Sequence, residues 1–244
     1  METLALITVA AGTALATGIG ALPVSALGPR AHRLRAWLAG TAVGAMAVAS
    51  LVGLLVPAAR TGSTAAVVGG AALGAAFVIA ARARLSLEGK TDMRLGPGAQ
   101  RSLLVFGVLL VHSLPEGFAI GGAWASAEAG LGVFVVLAIA LQNIPEGTAI
   151  AIPMAAAGFS RGRQVTAAIL SSAPQPVGAL AAYLLVEQVH SVLAVSLAFA
   201  AGAMAVVVGL ELVPEAWRGD RLPAVYGAAA GGAAMLALSA ALGV

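Results

Sequence analysis

Apolar residues fill eight long stretches of this chain, and short polar turns separate them. A transmembrane helix needs about 20 apolar residues to cross the bilayer, and each stretch meets that length. The predicted spans are residues 3–27, 37–57, 63–83, 101–125, 130–157, 163–186, 189–213 and 222–243. The pattern therefore predicts an all-α integral membrane protein with one transmembrane domain over residues 1–244, whose sizeable polar connection is 84–100.

The first stretch needs a separate decision, because cleaved signal peptides are also apolar. It lacks a basic start, since residue 2 is glutamate, and it stays apolar for more than twenty residues. Both features favour a first membrane helix over a signal peptide.

Basic residues alternate between successive connections and predict the orientation. Loop one carries Arg30, Arg33 and Arg35, and loop three carries Arg82, Arg84, Lys90, Arg94 and Arg101. Loop five carries Arg161 and Arg163, and loop seven carries Arg218 and Arg221. Of the even-numbered loops, the second carries Arg60 and the other two carry no Lys or Arg. Cytoplasmic loops of membrane proteins are enriched in Lys and Arg. We therefore expect the odd loops in the cytoplasm and both termini outside it. A missed or additional helix would break this alternation.

Composition agrees with a membrane protein and narrows its chemistry. The chain is 60% hydrophobic and 9% charged, whereas soluble domains carry about 25% charged residues. Its 31 glycines favour close helix packing. The absence of cysteine excludes disulfides and thiolate metal sites. The net charge of +3 would also suit nucleic acid, but the arginines lie at the ends of apolar runs, so we expect no nucleic-acid partner.

Two similar polar motifs interrupt the fourth and fifth spans. "HSLPEG" occupies residues 112–117 and "QNIPEG" occupies 142–147. Residues four apart share one helix face, so His112 lies with Glu116 and Gln142 lies with Glu146. A proline inside each motif is expected to kink its helix. Consecutive spans run antiparallel, and an inverted pair of interrupted helices near the membrane centre is typical of a transport site.

Ionisable residues inside a span are functional by default, and here their types match the ligands of a metal ion. One imidazole, two carboxylates and amide oxygens suit Zn²⁺, and also Mn²⁺, Fe²⁺, Co²⁺ or Cd²⁺. The same residues would also serve a proton relay or another cation, so this alternative stays open. Glu211 is a further acidic residue in a span, whereas Glu128, Glu187 and Glu215 lie at helix ends, where we expect solvation.

Both motifs resemble the paired signatures of the ZIP (Zrt/Irt-like) metal transporters. "HSLPEGFAIG" and "QNIPEGTAIAIP" are similar to that family's fourth and fifth helices, and the Gln-Asn opening is most similar to the bacterial GufA-like branch. "GIGALPV" (18–24), "GTAVGAMAVASLVGLLVPA" (40–58) and "AGAMAVVVGLELVPE" (201–215) resemble that branch's first, second and seventh helices. Eight spans with both termini outside is also the family's topology.

The resemblance implies specific roles for residues of this chain. A primary metal would be held by His112, Glu116, Gln142 and Glu146, with a thioether from Met46. The family's second metal site corresponds to Ser113, Asn143 and Gln175. Gln175 stands where the family often has glutamate, so this second site would lack a negative charge of its own. Two divalent ions would then repel each other without compensation, and we expect one well-formed site. Glu211 would lie on the cytoplasmic exit route.

The function implied is uptake of divalent transition metal ions, most of all zinc, into a bacterial cytoplasm. The protein would be a multi-pass protein of the cell (inner) membrane that works by an elevator-like movement, and the family is proposed to dimerise. No P-loop or H-E-x-x-H pattern occurs in the sequence, which argues against an ATP-driven pump and an intramembrane metalloprotease. The chain is therefore expected not to be an enzyme. Transport of protons or other cations by the same carboxylates is the remaining alternative.

Overall fold

The computed structural model describes residues 2–27, 29–89, 97–189, 191–218 and 220–244. Within these ranges every regular element is helical and no strand occurs. The α-helices are Glu2–Leu27, Pro29–Val48, Val56–Thr61, Thr64–Gly89, Pro97–Trp124, Leu131–Ala156, Arg161–Ser171, Pro174–Gln188, Val192–Val207, Val213–Trp217 and Arg221–Leu242, and π-helical turns occupy Ala49–Leu55 and Val208–Leu212.

Eight helical stretches among the described residues are long and apolar enough to cross a membrane. These spans are Glu2–Val24, Leu34–Thr61, Thr64–Leu85, Phe106–Trp124, Leu131–Ala156, Arg161–Gln188, Val192–Trp217 and Arg221–Leu242. The predicted all-α fold with eight spans is confirmed. Of the predicted connection 84–100, residues 90–96 lie outside the described residues, and the flanking helices occupy the rest.

The sixth span differs from the prediction because it is broken in the middle. One helix ends at Ser171 and the next begins at Pro174. The amides of Ser172, Ala173 and Gln175 each donate to a carbonyl three residues earlier, at 3.0 to 3.1 Å. Pro174 and Pro176 lack an amide hydrogen, and a proline ring clashes with the carbonyl four residues earlier in a regular helix. The break therefore follows from the "SSAPQP" sequence, and it places Gln175 at the start of the second half-helix.

Wide π-helical turns interrupt the second and seventh spans, and the sequence analysis did not anticipate them. Both turns end immediately before a Val-Pro pair. The amide of Val56 donates to the carbonyl of Leu51, and the amide of Val213 donates to that of Val208, five residues back in each case. A proline ring clashes with the carbonyl four residues earlier, and widening the preceding turn moves that carbonyl away. Such turns are frequent at functional sites.

Glycines bring four pairs of spans into direct backbone contact. At each contact a Cβ atom would overlap a carbonyl oxygen of the partner helix, so only glycine fits. Examples are Gly147 against Thr17 (fifth and first spans), Gly121 against Ala179 (fourth and sixth), Gly44 against Ala228 (second and eighth) and Gly74 against Phe199 (third and seventh). Small residues serve this purpose in membrane bundles, where close packing replaces the hydrophobic effect.

Apolar side chains fill the space between these pairs. The ring of Phe134 in the fifth span covers Gly53 of the second. Phe118 of the fourth span packs against Phe199 of the seventh, with ring centroids 5.3 Å apart. We name spans one, four, five and six the site group, and spans two, three, seven and eight the flanking group. The apolar contacts just described lie between these two groups.

Candidate metal site between the fourth and fifth spans

The two PEG motifs meet at the centre of the site group. His112, Glu116, Gln142 and Glu146 are all buried, and none exposes more than 3% of its surface. His112 and Glu116 share a face of the fourth span, and Gln142 and Glu146 share a face of the fifth, as the four-residue spacing predicts. The fold therefore places the side chains of both motifs in one polar site within an apolar bundle.

Three of these side chains lie close enough together to share one ion. A ligand atom from each of His112, Glu116 and Glu146 lies within 4.8 Å of the other two. His112 Nε2 is 3.6 Å from Glu116 Oε1. Metal–ligand distances near 2.0–2.2 Å for zinc bring two ligand atoms to roughly 3–4 Å from each other. Small movements of these side chains would therefore bring their ligand atoms to the spacing found around a bound ion.

Amide groups hold Glu116 from two sides. Gln142 Nε2 donates to Glu116 Oε1 at 2.7 Å, and Gln175 Nε2 donates to Glu116 Oε2 at 2.6 Å. Hydrogen bonds to a carboxylate are stronger than those between neutral groups. They fix the orientation of Glu116 without supplying a positive charge.

Several polar atoms of the site have no hydrogen-bond partner in the structure. They are both ring nitrogens of His112, Oε1 of Gln142 and Oε1 of Glu146. Buried polar groups are nearly always paired, and a buried charge must be paired or must coordinate a metal. Every one of these atoms can act as a metal ligand. The donor set is therefore suited to a divalent cation.

Met46 lies in the second span and is fully buried. It belongs to the same apolar cluster as Ala138 and Ile139, which precede Gln142 by one helical turn. Ala42, one turn before Met46, lines the pocket that also contains Glu146. The structure thus places Met46 in the flanking group, beside the helix that carries half of the site.

The three residues predicted for the weaker second site hydrogen-bond to protein groups in the structure, and their role as metal ligands stays a prediction. The Ser113 hydroxyl lies 2.9 Å from the Leu109 carbonyl and 2.8 Å from the Ser171 carbonyl. Asn143 Nδ2 donates to the Thr13 carbonyl at 2.8 Å. Gln175 uses its nitrogen for Glu116 and its oxygen for the Thr13 hydroxyl, at 2.9 Å. A neutral hydrogen-bond network therefore occupies the position next to the carboxylates.

Two threonines of the first span, for which no role was predicted from the sequence, hydrogen-bond to the polar residues around the two motifs. Thr13 is bonded to Gln175 and Asn143, and the Thr17 hydroxyl lies 2.7 Å from that of Ser172. Thr13 and Thr17 are four residues apart in "GTALATG", and this spacing could have indicated a polar face. It was missed because a hydroxyl in a membrane helix usually bonds to its own backbone.

A pocket extends from Glu146 along the second and seventh spans. Its walls include Ala42 and Arg35 on the second span, Ile152 on the fifth, and Leu212 and Glu215 on the seventh. Glu211, predicted on the exit route, is paired with Arg82 of the third span, with Arg82 Nε 2.5 Å from Glu211 Oε1. Its role in an exit route stays a prediction, and its neighbours Leu212 and Glu215 line the pocket.

Comparison with known proteins places this arrangement in a family. The family model described as "ZIP Zinc transporter" matches residues 88–239. Zinc transporter GufA of Myxococcus xanthus is 33% identical over 221 residues, which cover 86% of each chain. An Arabidopsis thaliana protein named as a zinc transporter, At3g08650, is 34% identical over 89% of this chain. Zinc transporter ZIPB of Bordetella bronchiseptica is 35% identical over 136 residues. The aligned regions cover about a third (35%) of the plant protein and 44% of the Bordetella protein.

Proposed function

This chain belongs to the ZIP zinc transporter family, and we propose that it carries divalent transition metal ions, zinc first among them, into the cytoplasm. Members of this family are transporters, so the chain is a multi-pass membrane transporter of metal ions and not an enzyme. GufA and ZIPB are named zinc transporters, which supports zinc as the substrate. Cd²⁺, Fe²⁺, Mn²⁺ and Co²⁺ have the same charge and suit similar ligands.

The observation that carries the proposal is the set of unpartnered ligand atoms at the PEG motifs. His112, Glu116, Gln142 and Glu146 are the proposed metal ligands. Ligand atoms of His112, Glu116 and Glu146 converge, and His112, Gln142 and Glu146 each carry a buried atom without a hydrogen-bond partner. Two carboxylates offset the charge of one divalent ion. Transfer of a bare ion into the bilayer would be prohibitive, and this ligand set replaces its water.

We propose that the site binds one metal. Gln175 donates to the second oxygen of Glu116, and this amide hydrogen takes the place that a second cation would need. Ser113 and Asn143 are engaged with backbone carbonyls, so the family's second site would be weak here. A neutral amide next to Glu116 also avoids a third buried carboxylate.

The proposed direction rests on two observations that agree. The arginine distribution predicts that Arg35 and the seventh loop lie on the cytoplasmic side. The pocket leads from Glu146 to Arg35 and Glu215, so a metal at the site would leave toward that side. This orientation supports a protein of the bacterial cell membrane with both termini outside the cytoplasm.

An elevator-like movement fits the way the two groups of spans contact each other. Hydrogen bonds at the site connect spans one, four, five and six. Contacts of this group with the flanking group include aromatic and aliphatic side chains such as Phe134 and Phe118. Apolar surfaces can slide without leaving polar groups unpaired. Met46 would then contact the metal in part of the cycle, because it belongs to the flanking group.

Metal flux into proteoliposomes tests the proposal. The purified full chain is reconstituted with a metal-sensitive dye inside the vesicles, and Zn²⁺, Cd²⁺, Mn²⁺, Fe²⁺ and Co²⁺ are added outside one at a time. We expect saturable uptake of zinc, with competition by the other ions. A parallel set of vesicles contains a pH-sensitive dye. A robust pH change without flux of any of these metals would contradict the proposal and would favour the proton carrier.

A further inference from the structure

An ion pair lines the pocket that also contains Glu146, one of the proposed metal ligands. The guanidinium of Arg35 is paired with the carboxylate of Glu215, and both residues line this pocket together with Glu146. Their side chains are 29% and 25% exposed. The pair therefore lies between the buried metal site and the surrounding solvent.

The helical register shows how the pocket runs. Arg35, Leu38, Ala39 and Ala42 form one face of the second span, since they are separated by three or four residues. Seven residues of helix correspond to about 10 Å, which separates Ala42, near the metal site, from Arg35. The seventh span runs from Leu212 to Glu215 toward the same end. The pocket thus leads from Glu146 to the predicted cytoplasmic surface.

Glu215 is the next carboxylate that an ion would meet on this path. Apolar side chains make up most of the remaining wall, and the Thr148 hydroxyl, which also lines the pocket, donates to the Gly20 carbonyl at 2.7 Å. The apolar members are Leu38, Ala39, Ala42, Pro145, Ala149, Ile152 and Leu212. A divalent ion prefers oxygen ligands to an apolar wall. Glu215 would supply them, but Arg35 already provides its positive partner.

We propose that Glu215 is an exit ligand for the transported metal and that Arg35 is a resident cation which the metal displaces. This inference rests on the proposed function and adds a binding position to it. Metal and guanidinium repel each other and compete for one carboxylate. The mouth of the pocket is therefore closed by the Arg35–Glu215 pair when no metal is present, and it opens when the arriving ion takes over Glu215.

Displacement of Arg35 by the metal predicts opposite effects on zinc uptake when Arg35 and Glu215 are substituted. With Arg35→Gln, Glu215 keeps its exposed partner Arg218 but loses the guanidinium inside the pocket, and initial zinc uptake is expected to rise about two- to fivefold, the scale of one partly exposed ion pair. With Glu215→Gln, the exit ligand is lost and uptake is expected to fall severalfold. The double variant should resemble Glu215→Gln, because Arg35 acts through Glu215.

Matched controls are available in the chain. Arg218 also pairs with Glu215, at 3.0 Å, but its side chain is 67% exposed and it is absent from the pocket walls. Arg60 and Glu128 form an ion pair of 3.0 Å at other loops. Arg60→Gln is expected to transport zinc as the wild type does, whereas Arg218→Gln, which removes an exposed partner of Glu215, should raise uptake less than Arg35→Gln.

A thiol-labelling experiment measures how accessible the pocket is from solvent, without depending on transport. The chain has no cysteine, so Ala39→Cys introduces a single thiol on the pocket wall. Labelling by a charged maleimide is expected to be severalfold faster when Arg35→Gln is added, and unchanged when Arg60→Gln is added. Melting curves in detergent identify any variant that fails to fold. Should Arg35→Gln fail, the labelling comparison is made with Arg35→Met, which removes the charge with a side chain of similar bulk and should be labelled equally fast.

The outcomes separate this inference from the proposed function. Equal uptake by Arg35→Gln, Glu215→Gln and the control variants, or changes of the same sign in both partners, would overturn the exit ligand while zinc transport stands. An unchanged labelling rate of Ala39→Cys in the Arg35→Gln background would overturn the proposal that the ion pair closes the pocket. Absence of zinc flux in the wild type would instead contradict the proposed function.

Discussion

Replacing Gln175 with glutamate tests why this site should hold one metal. The amide nitrogen of Gln175 donates to Glu116 Oε2 at 2.6 Å in a fully buried position. Gln175→Glu keeps the shape of the side chain but exchanges the donor for an acceptor with a negative charge. A hydrogen bond becomes a repulsive contact between two carboxylates.

The expected cost follows from these contacts. A hydrogen bond to a charged group contributes about 1.5–3 kcal/mol. Two unit charges about 4 Å apart repel by about 4 kcal/mol at an effective dielectric constant near 20. The sum, on the order of 6 kcal/mol, is an upper bound, because a proton shared by the two carboxylates relieves part of the repulsion; it is comparable to the free energy of unfolding of many proteins, about 5–15 kcal/mol. A second divalent cation between the carboxylates would remove this penalty.

We therefore expect the Gln175→Glu variant to bind two zinc ions per chain, and the wild type one. Without metal, the variant should melt well below the wild type, and zinc should restore most of the difference. Metal content after gel filtration gives the stoichiometry, and tryptophan fluorescence in detergent gives the melting temperature. Gln188→Glu is the control, because it adds the same charge to the same half-helix at an exposed position.

Two results would refute this reasoning. One is a wild-type chain that binds two zinc ions with similar affinity. The other is a Gln175→Glu variant that melts like Gln188→Glu in the absence of metal, which would mean that Gln175 does not hold Glu116.

Three further substitutions test other parts of the account. Met46→Ala should reduce Cd²⁺ uptake more than Mn²⁺ uptake, since a thioether prefers the softer ion, and equal losses would contradict a thioether ligand. Gly147→Ala should lower thermal stability by about 1–3 kcal/mol through overlap with the Thr17 carbonyl, whereas Gly12→Ala, with open space at its Cβ, should melt no lower than the wild type. Thr13→Val should weaken zinc binding measured by calorimetry, because Gln175 loses its 2.9 Å donor, and unchanged affinity would separate Thr13 from the site.

The sequence predicted the fold, and it predicted that the two PEG motifs meet, because those signals are local. Apolar runs and alternating arginines define eight spans, and the spacing of His112 to Glu116 and of Gln142 to Glu146 defines two helix faces. The two motifs lie thirty residues apart, yet consecutive antiparallel helices bring them together. Each of these inferences needs only helix geometry and the thickness of the bilayer.

Other features depend on which helices pack together, and sequence spacing does not determine that. Thr13 contacts Gln175 across 162 positions of the chain, and Arg35 meets Glu215 from opposite ends of it. Glu215 was expected to be simply solvated at a helix end, but the structure pairs it with Arg35 in the pocket below Glu146. The broken sixth span and the two π-helical turns all lie next to prolines, and proline alone does not reveal how a helix adjusts to it.

Zinc uptake by a set of three variants tests the central claim most directly. His112→Ala and Glu146→Gln remove proposed ligands, whereas Glu128→Gln removes a carboxylate that pairs with Arg60 at a loop. Initial rates are measured in proteoliposomes at matched protein content, with folding checked by gel filtration. We expect severe loss of zinc uptake for the first two variants and a rate like that of the wild type for Glu128→Gln. Equal uptake by all three would contradict a metal site at the two PEG motifs.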